Sequence, residues 1–255
     1  MEEIDLKYFK KKGFLVISKI FSLDDVSFAS NLVSNLILRH RMGDSDVLAA
    51  SISVGASAKM HPNRNDGVNI NKMVDEPFII GDLIRLEPKF ASLIYVPTIW
   101  KAAAQLLGTS EERVVFHFSN ITRKPSLYGP AIGLHRDADN RYYACSNRQT
   151  VRLLFPLQIM NSSNGGTEVL IESHLKEYNK AHNFLINCPT VSPGNCLALH
   201  SEILHGGGLN RSEYERDVIV LQFGLRDAKL SYRAAEMMSD SGRLDFFEIL
   251  KNNHL

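Results

Sequence analysis

The sequence predicts a mainly β fold with flanking helices, of the sandwich, jelly-roll or barrel kind, and two observations carry that expectation. The first ~110 residues show helical periodicity, whereas beyond Glu112 the chain turns to runs of five to eight β-prone residues separated by Gly, Pro, Asn and Ser. No crossover helices separate those runs, so a parallel sheet is not expected. Leu6 to Lys11 reads as a short helix stopped at Gly13, and Phe14 to Ile17 as a short apolar strand. Ser22 caps a longer helix: Asp24 and Asp25 lie in its positive first turn, and Val26, Phe28, Leu32, Val33, Leu36 and Ile37 form an apolar stripe to about Arg41. From Gly43 to Glu76 the period is lost among Gly55, Pro62 and Gly67, which predicts loops with one short strand, a candidate flap. Pro77 to Leu86 and Pro97 to Leu107 are helix candidates with proline in the first turn, the second stopped at Gly108. The strand candidates are Val114 to Thr122, Thr150 to Ile159, Thr167 to Ile171, Cys196 to His200 and Val218 to Leu225, and Phe246 to Lys251 is a terminal helix.

Composition narrows the class of protein. Of 255 residues 44% are apolar and 22% charged, a globular composition, and a chain this long needs no disulfide staples. One domain over residues 1–255 is expected: a helical support (1–110), a β core (111–230) and a tail (231–255). Lys and Arg total 29 against 28 Asp and Glu, which gives no field to attract nucleic acid or an acidic membrane. Cys145, Cys188 and Cys196 are odd in number and contain no C-x-x-C, so a disulfide framework or zinc ribbon is not expected and a reducing, cytoplasmic setting fits. The acidic start and the lack of a long apolar run predict neither an export signal nor a membrane span.

Three features carry chemistry. His135 and Asp137 in GLHRDADN are two apart, so on a strand they would leave the same face. Alone, such a pair is common. His205 precedes Gly206, Gly207 and Gly208, where backbone can approach a partner closely, and Arg216 follows at the edge of an apolar strand. Two imidazoles and one carboxylate form a facial triad with three adjacent open positions, which suits non-haem Fe(II) with room for a co-substrate and O2. An arginine buried nearby would hold the far carboxylate of a dicarboxylate, the requirement of 2-oxoglutarate. Arg152 sits inside the apolar run TVRLLFPL, as either a substrate anchor or an outward strand residue. Asn140, Arg141 and Tyr142 follow the H-x-D turn and are candidate substrate contacts or a solvated loop. His117, His174, His182 and His200 have no pairing spacing and read as structural, and Cys188 and Cys196 as buried hydrophobes.

Over most of its length the chain resembles the phytanoyl-CoA dioxygenase-like Fe(II)/2-oxoglutarate oxygenases. The segments YFKKKGFLVISKIFSLDDV, NITRKPS, GLHRDADN, NGGTEVLIESH and SPGNCLALHSEILHGGGLNRSEYER are similar to successive family segments. The resemblance implies a double-stranded β-helix (jelly roll, cupin-type) with N-terminal helices outside. It also implies iron ligands His135, Asp137 and His205, Arg216 on 2-oxoglutarate, and Asn120 and Phe155 lining the co-substrate pocket. The sequence departs from the family pattern at Asn195, at Glu172 and at Gly207, which offers no hydroxyl. The expected activity is hydroxylation of a small polar metabolite or natural-product intermediate, the alternative at the same site being desaturation or cyclisation. A non-catalytic binding module and a zinc hydrolase are the rivals, and neither needs Arg216.

Overall fold

The computed structural model describes residues 4–66, 73–139, 143–175, 185–228, 230–232 and 235–253. In chain order its strands are β1 (Phe14–Ile17), β2 (Ser51–Ser53), β3 (Pro77–Gly81), β4 (Val114–Lys124), β5 (Ile132–His135), β6 (Tyr143–Cys145), β7 (Thr150–Pro156), β8 (Thr167–Leu170), β9 (Ile186–Asn187), β10 (Cys196–His200), β11 (His205–Gly207), β12 (Arg216–Leu225) and β13 (Leu230–Tyr232). Among the described residues they form a seven-stranded sheet of order β1-β10-β7-β12-β4-β3-β2, a four-stranded sheet of order β5-β11-β8-β9 and the pair β13-β6. Every pairing is antiparallel. From β4 to β12 the chain winds between the two larger sheets, with β4, β7, β10 and β12 in one and β5, β8, β9 and β11 in the other. That winding is the expected jelly roll.

The larger sheet is apolar on both faces, and each face has its own partner. Inward, Phe14, Phe118, Leu154, Leu197, Leu199, Val218 and Val220 meet Met160, Val169 and Ile203 inside the barrel. Outward, Phe116, Ile121, Leu153, Phe155, Ile219, Leu221 and Phe223 pack with helices Leu23–Arg41, Phe90–Tyr95, Pro97–Leu107 and Arg243–Asn252. Trp100 fixes this layer: its ring meets Phe223 and Phe246 edge-on at 5.1 and 5.7 Å, and its Nε1 donates to the Ile94 carbonyl at 2.7 Å. A β-bulge interrupts β4. Gln222 of β12 pairs with Phe118 and Phe223 with Phe116, so His117 is an extra residue. Phe116 therefore faces the helices and Phe118 the barrel, and Asn120, Thr122 and Lys124 follow Phe118 inward.

The N-terminal elements follow the sequence rules. Helix Leu6–Lys12 ends at Gly13 with φ +81°, and Ser22 with Asp25 forms a reciprocal capping box. Pro77 to Leu86, expected as a helix, is instead β3 followed by one helical turn, Leu83–Leu86. Its Phe-Ile-Ile run pairs with β4 through Ile79–Thr122 and Ile80–Ile121, and that pairing overrides the N-terminal proline signal. Between Gly43 and Glu76 the one short strand expected is β2. Short helices Ser45–Ala49, Val54–Met60 and Pro62–Asn65 replace the predicted loops, each too short to show a period. No helix among the described residues is long and apolar enough to cross a membrane.

Candidate metal and co-substrate site

The site is assembled where the barrel strands end. β5 ends on His135 and β11 begins on His205, the two are register partners, and their ring centroids lie 4.4 Å apart. Asp137 does not reach them by strand alternation, as the sequence suggested. The chain leaves the sheet after His135, Ala138 N–H bonds to the Ser201 carbonyl at 2.9 Å, and a single 3-10 turn, Asp137–Asp139, directs the carboxylate back to the rings. Asp137 Oδ1 is 3.6 Å from the Nε2 of each histidine, and the three ligand atoms all lie within 4.8 Å of one another.

The hydrogen bonds around the triad leave its ligand atoms free. His135 Nδ1 donates to the Gly133 carbonyl at 2.9 Å and His205 Nδ1 to the Ile203 carbonyl at 3.1 Å. A carbonyl only accepts, so both Nδ1 atoms carry the proton and both Nε2 lone pairs face Asp137. Both Asp137 oxygens are buried without a hydrogen-bond partner among the described residues, although Arg152 Nη1 forms an ion pair with Oδ1 at 2.6 Å. Burial acts to raise the Asp137 carboxyl, but Arg152, His205 and His135 outweigh it and hold it at about 2. Burial pushes the His205 imidazole down to about 4. An ionised carboxylate beside a neutral imidazole, with a buried Oδ2 that has no partner among the described residues, fits a divalent cation, and the N2O donor set fits Fe(II).

A second feature lies along β11. Arg216 opens β12 directly opposite Lys124, the last residue of β4, and both are buried. Arg216 Nε and Nη2 donate to the carbonyls of Asn164 and Gly165 at 3.3 and 3.1 Å, and Lys124 Nζ donates to the Gly208 carbonyl. Neither cation forms an ion pair among the described residues. Burial, then the neighbouring guanidinium, pushes Lys124 well below its ordinary value, and burial lowers Arg216 to about 10. Gly207 is one two-residue step, about 7 Å, along β11 from His205. A Cβ there would stand 3.1 Å from Lys124 Nζ, so the glycine leaves open the space between the triad and the cations. That space suits a dicarboxylate with one end at the triad.

The remaining candidates divide. Asn120 lies on the barrel face and accepts a hydrogen bond from the Thr122 hydroxyl at 3.3 Å. Phe155 does not line the pocket: Arg152 and Leu154 point into the barrel, so Phe155 between them faces the helices, 4.6 Å from the Phe21 ring. Arg152 is inward, not on the outer face. Its Nε donates to Gln222 Oε1 at 3.0 Å, and its guanidinium carbon lies 5.1 Å from the Phe118 ring centroid. Asn140, Arg141 and Tyr142 lie outside the described residues, as does His182. Buried His117 bonds to Gln222, and half-buried His200 packs against Phe9 and His174. Sequence reasoning missed the roles of Lys124 and Gln222. Two-residue steps from Asn120 put Lys124 on the same face, but the spacing does not show that it ends opposite Arg216.

The phytanoyl-CoA dioxygenase (PhyH) family profile matches residues 9–218. Among functionally curated proteins the sequence has no match. Among solved structures, EctD from S. alaskensis with 2-oxoglutarate and 5-hydroxyectoine superposes with a TM-score of 0.73 at 19% identity, over 94% of this chain and 87% of that one. AviO1 from Streptomyces viridochromogenes Tue57 gives 0.68 at 18% identity, over 88% and 95%. SnoK, a non-heme alpha ketoglutarate dependent carbocyclase from nogalamycin biosynthesis, gives 0.70 at 15% identity, over 91% and 87%. The profile match spans most of the sequence, the barrel is the one these structures share, and the triad fits the metal with which EctD has been crystallised. The chain therefore belongs to the phytanoyl-CoA dioxygenase family of non-haem iron, 2-oxoglutarate-dependent oxygenases.

Proposed function

We propose that the chain, as one catalytic domain, hydroxylates a small polar metabolite or natural-product intermediate with release of succinate and CO2. His135, Asp137 and His205 hold Fe(II), Arg216 and Lys124 take the far carboxylate of 2-oxoglutarate, and Asn120 lines the pocket between. The observation that carries this reading is the pair of buried cations without an ion pair among the described residues, one strand step beyond a His-Asp-His cluster whose Asp137 and His205 are buried. When bound, iron and 2-oxoglutarate activate O2 for removal of a substrate hydrogen. The chain's own residues orient the two groups and exclude water. The Nδ1 bonds fix the imidazole tautomers, and the barrel wall of Phe118, Leu154, Val218 and Val220 keeps the co-substrate space dry.

Asp137 favours hydroxylation, because its carboxylate occupies a position that a halide would otherwise need. Desaturation or ring closure would begin with the same hydrogen removal, and product analysis separates them. A zinc hydrolase or a silent binding module leaves Arg216 and Lys124 without a purpose. Three free cysteines fit a reducing, cytoplasmic setting. The test is anaerobic addition of Fe(II) and 2-oxoglutarate, watched for the visible charge-transfer band, followed by O2 and succinate measurement across a metabolite panel. The band and substrate-stimulated succinate are expected, and their joint absence refutes the assignment.

A further inference from the structure

Arg152 is the one charged side chain of β7, and it points into the barrel beside the triad. Three contacts hold its guanidinium: Gln222 Oε1 on Nε at 3.0 Å, the Phe118 ring 5.1 Å from its carbon, and Asp137 Oδ1 on Nη1 at 2.6 Å. Gln222 is braced in turn, donating from Nε2 to His117 Nδ1 at 3.0 Å. Nη2 has no hydrogen-bond partner among the described residues, and 13% of the side chain stays exposed, so the fork keeps an unused donor edge.

A buried cation needs a counter-charge. Asp137 supplies it here, but Asp137 is also the only carboxylate of the triad. With a metal loaded, that charge is drawn to the metal, and the metal's own charge opposes the guanidinium. The far carboxylate of 2-oxoglutarate belongs to Arg216. A planar donor fork is then left beside the metal with no protein carboxylate of its own. Its single charge and flanking apolar wall, Phe118 and Leu154, match one carboxylate better than a phosphate dianion.

We propose that Arg152 anchors the substrate by a carboxylate, received on the open Nη edge, and that the substrates are therefore small organic acids. This inference rests on the iron and 2-oxoglutarate reading of the site. The test uses protein loaded with Mn(II), a redox-silent stand-in, with and without 2-oxoglutarate. It is titrated calorimetrically with small aliphatic, cyclic and aromatic carboxylic acids, each paired with its own carboxamide. The wild type should prefer at least one acid over its amide by about tenfold or more. Arg152→Gln should bring that ratio close to one while metal and 2-oxoglutarate affinities stay within about threefold. Arg152→Lys should restore part of the preference, since it keeps the charge and loses the fork.

The proposal is overturned if no acid is preferred by the wild type or if the preference survives in Arg152→Gln. It is also overturned if Arg152→Gln loses metal or 2-oxoglutarate binding by about tenfold, which would make Arg152 a brace for Asp137 or a contact of the co-substrate. Should Arg152→Gln fail to fold, the Arg152→Lys ratio decides, with an undiminished preference counting against the fork. A wild type that binds no 2-oxoglutarate refutes the site reading itself. The acid preference with metal alone still judges Arg152 in that case.

Discussion

Arg216 donates to two backbone carbonyls and forms no ion pair among the described residues, a costly state that the far carboxylate of 2-oxoglutarate would relieve under the proposed function. Arg216→Ala should weaken 2-oxoglutarate by about 30-fold to several thousandfold, the range for removing one partner of a buried charge pair, and leave metal affinity without co-substrate nearly unchanged. Arg216→Lys should recover only part, and calorimetry with Mn(II) measures both. At the triad, His135→Ala and His205→Ala should abolish metal binding. Asp137→Gly should keep some affinity when 2-oxoglutarate is present, because two nitrogens and the chelating co-substrate remain; equal loss in all three by absorbance titration would count against the ligand set. The clustering of His135, Asp137 and His205 and the burial of Arg216 were readable because the proposed chemistry restricts such positions to few residue types near glycine and turn signals. Lys124 was harder to read, since an inward lysine has no spacing of its own to declare it. Phe155 was misread because β7 turns its odd residues outward, and only the barrel shows which parity is which.

At the scale of elements, β4 and β12 depend on one complementary pair. Gly224 lies against the bulged His117, and a Cβ there would overlap the imidazole. Gly224→Ala should therefore cost about 1–3 kcal/mol by overpacking, and His117→Ala in the same chain should return a large part of it, a coupling that denaturant titrations of the four proteins would show. The segment before the last helix carries a second dependence. Glu236 Oε2 accepts the Ser119 N–H at 2.8 Å, and burial, with Asp82 nearby, pushes its carboxyl up to about 8. The folded protein thus holds a proton that the unfolded chain releases at an ordinary carboxyl value. Its contribution to stability is complete at low pH and fades as pH rises towards about 8. Glu236→Gln keeps the acceptor and cannot ionise, so thermal melts should show it matching the wild type near the acid end of that window and exceeding it above. Neither the bulge nor this carboxyl was visible in sequence, because each is defined by what the opposite element places against it.

For the whole molecule, two buried layers share one sheet: the barrel interior and the helical coat. The two long coat helices, of 11 and 19 residues, were legible from their period and caps, whereas Phe90–Tyr95, six residues long, was not expected, and the four-stranded sheet is built of strands of two to four residues, too short to alternate visibly. Trp100, the single tryptophan, sits where the coat meets the sheet, against Phe223 of β12 and Phe246 of the last helix. Its fluorescence should change in the same urea transition as the far-ultraviolet circular dichroism, since the coat helices and the outer sheet face share one apolar cluster. Separate midpoints would show that coat and barrel unfold independently.

The bulge at His117 also makes β4 tolerant of a change in length. Because His117 is surplus to the ladder, a chain lacking it would step from Phe116 facing the helices to Phe118 facing the barrel by plain alternation. Asn120, Thr122 and Lys124 would stay where they are. Gly224, freed of the imidazole, could then carry a methyl group at no steric penalty. The His117 deletion should keep 2-oxoglutarate binding and accept Gly224→Ala, so the barrel face of β4 would be preserved in a chain one residue shorter.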